Sequence, residues 1–171
     1  DTTDGFQVGT GWRTILFNCD CHSFQEVAAQ LVSAIRCDFQ RGLALANAGL
    51  GAVHGLAGVI GGLTGAAHGA ICGALLGPVL TVNREAASGA ARNRLDEVCA
   101  VLAEVLGSSA EEAPVALQAW AWAQGLPGLA ALGVAEDQHR QIAVAALQAS
   151  SMKGNPVPLD LPALHRVLAA A

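Results

Sequence analysis

The sequence predicts an all-α protein, a helical bundle with short connections. Three observations predict it: apolar residues recur at helical spacing, Ser-x-x-Glu capping boxes stand at 23–26 and 109–112, and only residues 12–18 have strand character. The chain has 171 residues, which suits one domain with a substantial core. We therefore expect helices that pack directly against one another.

The first predicted helix begins at Ser23, where Glu26 occupies the capping-box position. One face of this helix is apolar, and its residues are Phe24, Val27, Ala28, Leu31, Val32 and Ile35. The spacing of three and four residues is that of an amphipathic helix.

The segment from Gly42 to Asn83 contains no Asp, Glu, Lys or Arg, and eleven of its 42 residues are glycine. A glycine inside a helix costs up to about 1 kcal/mol relative to alanine, so this many glycines need a reason. Some recur every four residues and predict a helix face that another backbone can approach closely. They are Gly65, Gly69, Gly73 and Gly77.

Further helices are predicted over residues 93–106, after the 109–112 capping box, over 136–150 and over 159–170. Breaks at "GLPGL" (125–129) and "KGNPVP" (153–158) separate them, and Asp160 is the expected cap of the last one. The helix over 93–106 is predicted to bury Leu95, Val98, Cys99, Leu102 and Val105.

Two tryptophans follow the second capping box. Trp120 and Trp122 are two residues apart and cannot share a helix face, so we expect one in the core and the other at a domain interface. His139 lies in a polar helix start and is expected to be solvated, whereas His165 is expected at the surface or in a packing role.

Charged residues make up 13% of the chain, about half the usual share of a soluble domain. This shortage indicates that another domain, a subunit or a membrane covers part of the surface. The formal net charge of −5 argues against nucleic acid as a partner. Five cysteines without a framework spacing, together with an N-terminal stretch unlike a signal peptide, predict a reduced, cytoplasmic protein.

His54 and His68 stand fourteen residues apart in the uncharged segment. On one straight helix they would be about 21 Å apart, too far for one metal ion with ligand bonds of about 2.0–2.1 Å. The glycines of "GGLTG" (61–65), beginning at the midpoint Gly61, predict a reversal that brings the rings together. Neutral imidazole suits zinc or ferrous iron. The alternative is that both are core histidines, each with one backbone hydrogen bond.

Residues 42–83 resemble the signature of the iron-containing, or group III, alcohol dehydrogenase family, near its maleylacetate reductase-like members. In that family a first histidine stands at the end of "GLGAVH". A second histidine falls fourteen residues later and precedes a short run that ends in "LLP…V…N". The matching residues are His54, His68, Gly69, Leu75, Leu76, Val79 and Asn83. The stretches 125–134 and 149–171 also resemble the family's C-terminal part. The similarity covers roughly residues 39–171 and not 1–36.

The resemblance implies a helical metal-binding domain over residues 37–171, preceded by a segment, 1–36, that does not match the family. It implies a divalent metal, Fe²⁺ or Zn²⁺, with His54 and His68 as the two later ligands. In the family a separate α/β domain binds NAD(P), and the metal polarises an alcohol or carbonyl oxygen while hydride moves to or from the nicotinamide.

The chain departs from the family pattern in its other ligands. The family's remaining pair is an Asp and a His four residues apart, and no Asp of this chain has a His four residues on. Gly58 stands where many members have a further histidine, and no nucleotide-binding Gly-rich loop is present. The run "CDCH" (19–22) offers Asp20, His22 or a cysteine thiolate as alternative ligands, or is simply a loop before the Ser23 cap. Cys72, one turn beyond His68, is expected to be a small buried apolar residue, with the alternative that it faces the pocket.

Three functions follow from these observations. The first is a fragment of a metal-dependent, NAD(P)-linked alcohol dehydrogenase or carbonyl reductase, inactive alone, acting on a small alcohol, aldehyde or keto acid. It would work as a homo-oligomer or with a missing nucleotide-binding half. The second is a non-catalytic helical module for oligomerisation or interaction. The third is a membrane hairpin over residues 42–82, which its weak hydrophobicity and mid-span histidines disfavour.

Overall fold

Helices form the regular secondary structure of residues 50–171, the part of the chain that the computed structural model describes, and no strand occurs among these residues. The all-α prediction is confirmed. Six α-helices follow one another, namely α1 Ala52–Thr64, α2 His68–Ala86, α3 Gly89–Leu106, α4 Ala113–Ala123, α5 His139–Leu147 and α6 Leu161–Ala170. Short 3-10 turns occupy Glu136–Gln138 and Ser150–Gly154. The predicted helix after Ser23, residues 12–18 and the "CDCH" run lie outside the described residues.

The core lies between α1, α2, α5 and α6. Helix α2 packs against α1, α4 and α6, while α5 packs against both α1 and α6. Each of these four helices contributes large apolar side chains with almost no exposed surface, namely Leu56, Ile60, Ile71, Leu75, Ile142, Leu164 and Leu168. Burying one such side chain stabilises the fold by roughly 1.5–3 kcal/mol, so this cluster holds the helices in place.

The chain reverses between α1 and α2 at Gly65. This residue has φ 68° and ψ 6°, and its N–H donates to the carbonyl of Gly61 at 2.9 Å. The Thr64 hydroxyl accepts from the N–H of Ala66 at 3.1 Å and donates to the carbonyl of Ile60 at 2.9 Å. The predicted break is therefore confirmed. It falls at the last glycine of the 61–65 run, because the left-handed conformation that ends a helix favours glycine.

The four-residue glycine repeat permits close helix packing at two of its four positions. A Cβ on Gly77 would stand 2.8 Å from the carbonyl oxygen of Pro114 in α4, and one on Gly73 would stand 2.8 Å from the side chain of Leu126. Around Gly65 and Gly69 such a Cβ would meet nothing within 4 Å. The second half of the repeat therefore lets α4 and the segment after it approach α2.

The prediction for α3 is right about the helix and wrong about its buried face. Cys99 alone is buried within α3, whereas Val98 and Val105 are 49% and 78% exposed and Leu95 and Leu102 are partly buried. Helix α3 packs mainly against α2 and α4 among the described elements, so a narrow strip of its surface suffices for contact. An ion pair between Arg84 of α2 and Asp96 of α3, at 2.6 Å, ties the two helices together.

Two further burial predictions are wrong. Both Trp120 and Trp122 are about half exposed, because the buried face of α4 consists of Ala113, Pro114 and Gln118. His139 is buried, and its ring stands edge-on to that of His165 with 5.8 Å between the centroids. Residues 139, 142, 143 and 146 are all buried in α5, and this spacing of three and four is the pattern that places His139 on the core face.

The predicted cap of α6 is confirmed, whereas the capping box predicted at 109–112 does not cap α4, whose N-cap is Glu112 without a side-chain hydrogen bond. The Asp160 side chain caps α6 by accepting from the N–H of Ala163 at 2.8 Å. The hydroxyl of Ser109 accepts from the N–H of Glu112 at 3.2 Å and donates to its carboxylate at 2.8 Å, which closes a turn immediately before α4. Among the described helices, none has both the length and the apolar character that a membrane span requires.

Candidate metal centre

Helices α1 and α2 each bring one histidine to a common position. His54 lies in the first turn of α1, and His68 is the first residue of α2. The ring centroids are 5.5 Å apart and the ring planes are inclined by 46°. Along a straight helix the same fourteen residues would span about 21 Å, so the turn at Gly65 accounts for the approach. The predicted juxtaposition is confirmed, while metal binding by the two rings stays a prediction.

The separation of the rings is that of two imidazoles on one tetrahedral ion. With metal–nitrogen bonds of about 2.0–2.1 Å, the ring centroids of two such ligands stand about 5 Å apart. The observed 5.5 Å is close to this value. The residues present therefore fit a divalent metal with nitrogen ligands.

A third donor atom stands beside the two rings. The Cys72 sulfur lies one helical turn beyond His68 and 3.4 Å from its Nε2. Donor atoms of His54, His68 and Cys72 all lie within 4.8 Å of one another. The sequence predicted a small buried apolar residue at Cys72, with the alternative that it faces the pocket, and its i, i+4 relation to a candidate ligand was a signal for a shared site.

The environment shifts the protonation of two of these groups. Burial, and then the neighbouring His68, lower the pKa of the His54 imidazole below its ordinary value. Burial raises the pKa of the Cys72 thiol. The neutral imidazole that a metal requires is therefore favoured at His54, whereas Cys72 is held as the protonated thiol until a cation arrives.

No carboxylate of residues 50–171 joins this group of donors. Gly58, where many relatives have a further histidine by resemblance, is exposed, and a Cβ placed there would meet no atom within 4 Å. Asp20 and His22 lie outside the described residues. Within the described part of the chain, the donor set is therefore two imidazoles and one thiol.

Asn155 secures the start of α1, two residues before His54. Its side-chain oxygen accepts from the N–H of Ala52 at 3.0 Å, and its amide nitrogen donates to the side chain of Asn83 at 2.7 Å and to the carbonyl of Val157 at 2.7 Å. The sequence predicted only a turn here. The pairing joins residues 72 positions apart, which no local pattern reveals.

An open cleft of about 500 Å³ adjoins His54. Side chains of α1, α2, α3, α4 and the 154–156 turn form its walls, and nearly all of them are apolar. The polar side chains in the lining are His54, Asn83 and Asn155. An apolar cleft with a few polar groups at one side is typical of a small-molecule site.

Comparison with known proteins decides the family. The model of the C-terminal part of the Fe-containing alcohol dehydrogenase family matches residues 25–171. The chain belongs to the iron-containing alcohol dehydrogenase family. This membership confirms the resemblance found on residues 42–83, 125–134 and 149–171. The family match includes residues 25–36, and the division of the chain at residue 37 stays a prediction.

A solved structure supports the fold of this iron-containing alcohol dehydrogenase domain. The crystal structure of a 1,3-propanediol oxidoreductase superposes with a TM-score of 0.62 at 24% sequence identity, over 85% of this chain. The chain spans 42% of the length of that protein. The search of curated proteins found no match.

Proposed function

We propose that this chain supplies part of the divalent-metal site of an NAD(P)-linked alcohol dehydrogenase or carbonyl reductase, with His54 and His68 as ligands. The observation that carries the proposal is the 5.5 Å separation of the two rings across the α1–α2 turn. Family membership supports it, because the match covers both histidines.

The residues around the site have distinct roles in this proposal. A divalent metal held here would act as a Lewis acid on an alcohol or carbonyl oxygen. His54, on the wall of the cleft, connects the ligand pair to the space for substrate. The apolar walls take the carbon chain of a small alcohol, aldehyde or keto acid and exclude water from it.

The hydride-transfer half of the reaction lies outside these residues in our proposal. The chain spans 42% of the length of the propanediol oxidoreductase, and its sequence contains no Gly-rich nucleotide-binding loop. The NAD(P) site would belong to a nucleotide-binding half, in a homo-oligomer or on another polypeptide. Cys72 and Cys99 are free thiols, which accords with a reducing, cytoplasmic location.

Equilibrium dialysis with Zn²⁺ or Fe²⁺ tests the ligand assignment. We expect His54→Ala and His68→Ala each to weaken metal binding by about tenfold or more, because each removes a ligand from a small set. His165→Ala is the matched control, since His165 is exposed on α6. Binding that is unchanged in both ligand variants would refute the assignment.

Turnover by the isolated chain tests the proposed division of labour. With Fe²⁺ or Zn²⁺, a small alcohol or aldehyde and NAD(P)H or NAD(P)⁺, we expect no absorbance change beyond that of the metal-free control. The reason for this expectation is that, in our proposal, the site that positions the nicotinamide lies outside this chain. Sustained oxidation or reduction of the nicotinamide by this chain alone would show that its cofactor site is present.

A second candidate function has its own observation. Apolar side chains on α3 and α4 are exposed, among them Val101, Val105, Val115, Trp120 and Trp122. A non-catalytic module that pairs with another subunit through this surface would also have these apolar side chains exposed when it is alone. Dialysis separates the two candidates, since the interaction module predicts the same metal binding in the wild type and in the histidine variants.

A further inference from the structure

We propose that the Cys72 thiolate is a third protein ligand, which makes a His₂Cys site for a thiophilic divalent cation such as Zn²⁺ or Co²⁺. The inference rests on the proposed role of His54 and His68 and adds a donor to it. The observation behind it is the convergence of one sulfur and two imidazoles within 4.8 Å.

The distance between neighbouring donors fits a shared ion. With zinc–sulfur bonds of about 2.3 Å and zinc–nitrogen bonds of about 2.0–2.1 Å, a tetrahedral ion holds its S and N ligands about 3.5 Å apart. The Cys72 sulfur is 3.4 Å from Nε2 of His68. Both side chains project from the same face of α2, four residues apart, so one rigid helix fixes this separation.

Charge gives a second reason for the thiolate. Residues 42–83 contain no acidic side chain, and no carboxylate of the described residues lies with these donors. His54 and Cys72 are partly buried and His68 is exposed, so two neutral imidazoles alone would leave the full double positive charge at the edge of an apolar segment, which is less favourable than a site with a negative ligand. A thiolate halves that charge, and sulfur is a ligand that zinc and cobalt prefer.

Without a cation, the Cys72 sulfur and Nε2 of His68 share a weak hydrogen bond, whose donor depends on the tautomer of the imidazole. On coordination, the sulfur–hydrogen bond breaks, a sulfur–metal bond forms and the proton leaves to solvent. The sulfur is neither oxidised nor reduced. A Cys72 that only packs and hydrogen-bonds would release no proton when the metal binds.

Cobalt titration followed by absorption spectroscopy tests the inference. Thiolate ligation gives an intense sulfur-to-cobalt charge-transfer band in the near ultraviolet, and nitrogen ligation does not. We expect this band in the wild type and in Cys99→Ala, the matched control, because Cys99 lies buried in α3. Cys72→Ser should lose the band, bind Co²⁺ about tenfold more weakly or worse, and release no thiol proton.

A second variant removes interference from the cysteines outside the described residues. A chain that keeps Cys72 and has serine at its other four cysteine positions should retain the band and the proton release. If that chain does not fold, Cys72→Ser is made instead in a chain with serine at Cys19, Cys21 and Cys37, which leaves Cys99, buried in α3, in place. A band that survives Cys72→Ser would overturn the inference.

The two proposals fail in different ways. If His54→Ala and His68→Ala weaken cobalt binding but Cys72→Ser does not, the histidine site stands and the thiolate ligand is refuted. If neither histidine variant weakens binding, the proposed function itself fails, and the inference fails with it.

Discussion

At the scale of single residues, Asn155 and Asn83 form the polar contact that holds the first turn of α1. Their side-chain amides bond reciprocally, at 2.7 Å and 3.3 Å, and Asn155 also accepts from the N–H of Ala52. Asn83 is 5% exposed, so loss of its partner leaves a buried amide unsatisfied.

A double-mutant cycle measures this contact. We expect Asn155→Ala and Asn83→Ala each to lower the free energy of unfolding by about 1–3 kcal/mol. We expect the double variant to lose less than the sum of the two, with a coupling energy of about 0.5–3 kcal/mol by urea denaturation. Strict additivity would show that the two amides do not depend on each other.

His139 predicts a pH-dependent stability. Burial, and then His165 from α6, lower the pKa of its imidazole, and Glu136 from the preceding turn opposes them. The unfolded chain, with an ordinary pKa of about 6.5, then binds more protons than the folded chain. The stability that His139 contributes is therefore full above about pH 6.5 and is lost as pH falls through the folded-state pKa.

Urea denaturation at a series of pH values checks this prediction. We expect the wild-type free energy of unfolding to fall between neutral and mildly acidic pH, and His139→Leu to show a shallower fall. His165→Gln is the control that keeps the buried ring, and it should lose only the smaller repulsive contribution. An identical slope in wild type and His139→Leu would contradict the assignment.

At the scale of elements, the uncharged segment combines a turn with a close-packing face. Gly65 ends α1 in the left-handed conformation, and Gly77 lies where α4 crosses α2. Local sequence predicted both features, because glycine spacing and glycine clustering are visible without coordinates. Which of the four spaced glycines meets a neighbour depends on the position of α4, and that is set by tertiary packing.

Gly77→Ala and Gly69→Ala form a matched pair on α2. At Gly77 a Cβ would stand 2.8 Å from the backbone oxygen of Pro114, and side-chain rotation cannot relieve this clash. We therefore expect Gly77→Ala to lower the free energy of unfolding by about 1–3 kcal/mol. At Gly69 a Cβ meets nothing within 4 Å, and we expect little change or a gain of up to about 1 kcal/mol. Thermal denaturation of the two variants gives the comparison. Equal effects would contradict the close approach of α4.

At the scale of the whole molecule, the sequence predicted the fold class and the approach of the two histidines, but not the surface. The fold class and the approach of the histidines could be predicted because apolar periodicity, capping residues and the reversal at Gly65 all depend on residues close together in the sequence. The exposure of Val98 and Val105 on α3 could not be predicted in this way. Periodicity shows that a helix face is apolar, but it does not show whether a neighbouring helix covers that face. Asn155 acquires its role only through contacts across the fold, whereas the closeness of Cys72 to His68 follows from their spacing on α2.

The central claim is that one cation bridges α1 and α2 through two imidazole rings. Side-chain ¹⁵N resonances of the five histidines, followed by NMR during a Zn²⁺ titration, test it most directly. The account predicts that His54 and His68 shift together and saturate at one equivalent of metal, while His139 and His165 do not move. Shifts in only one of the two rings, or separate saturation of each, would contradict it.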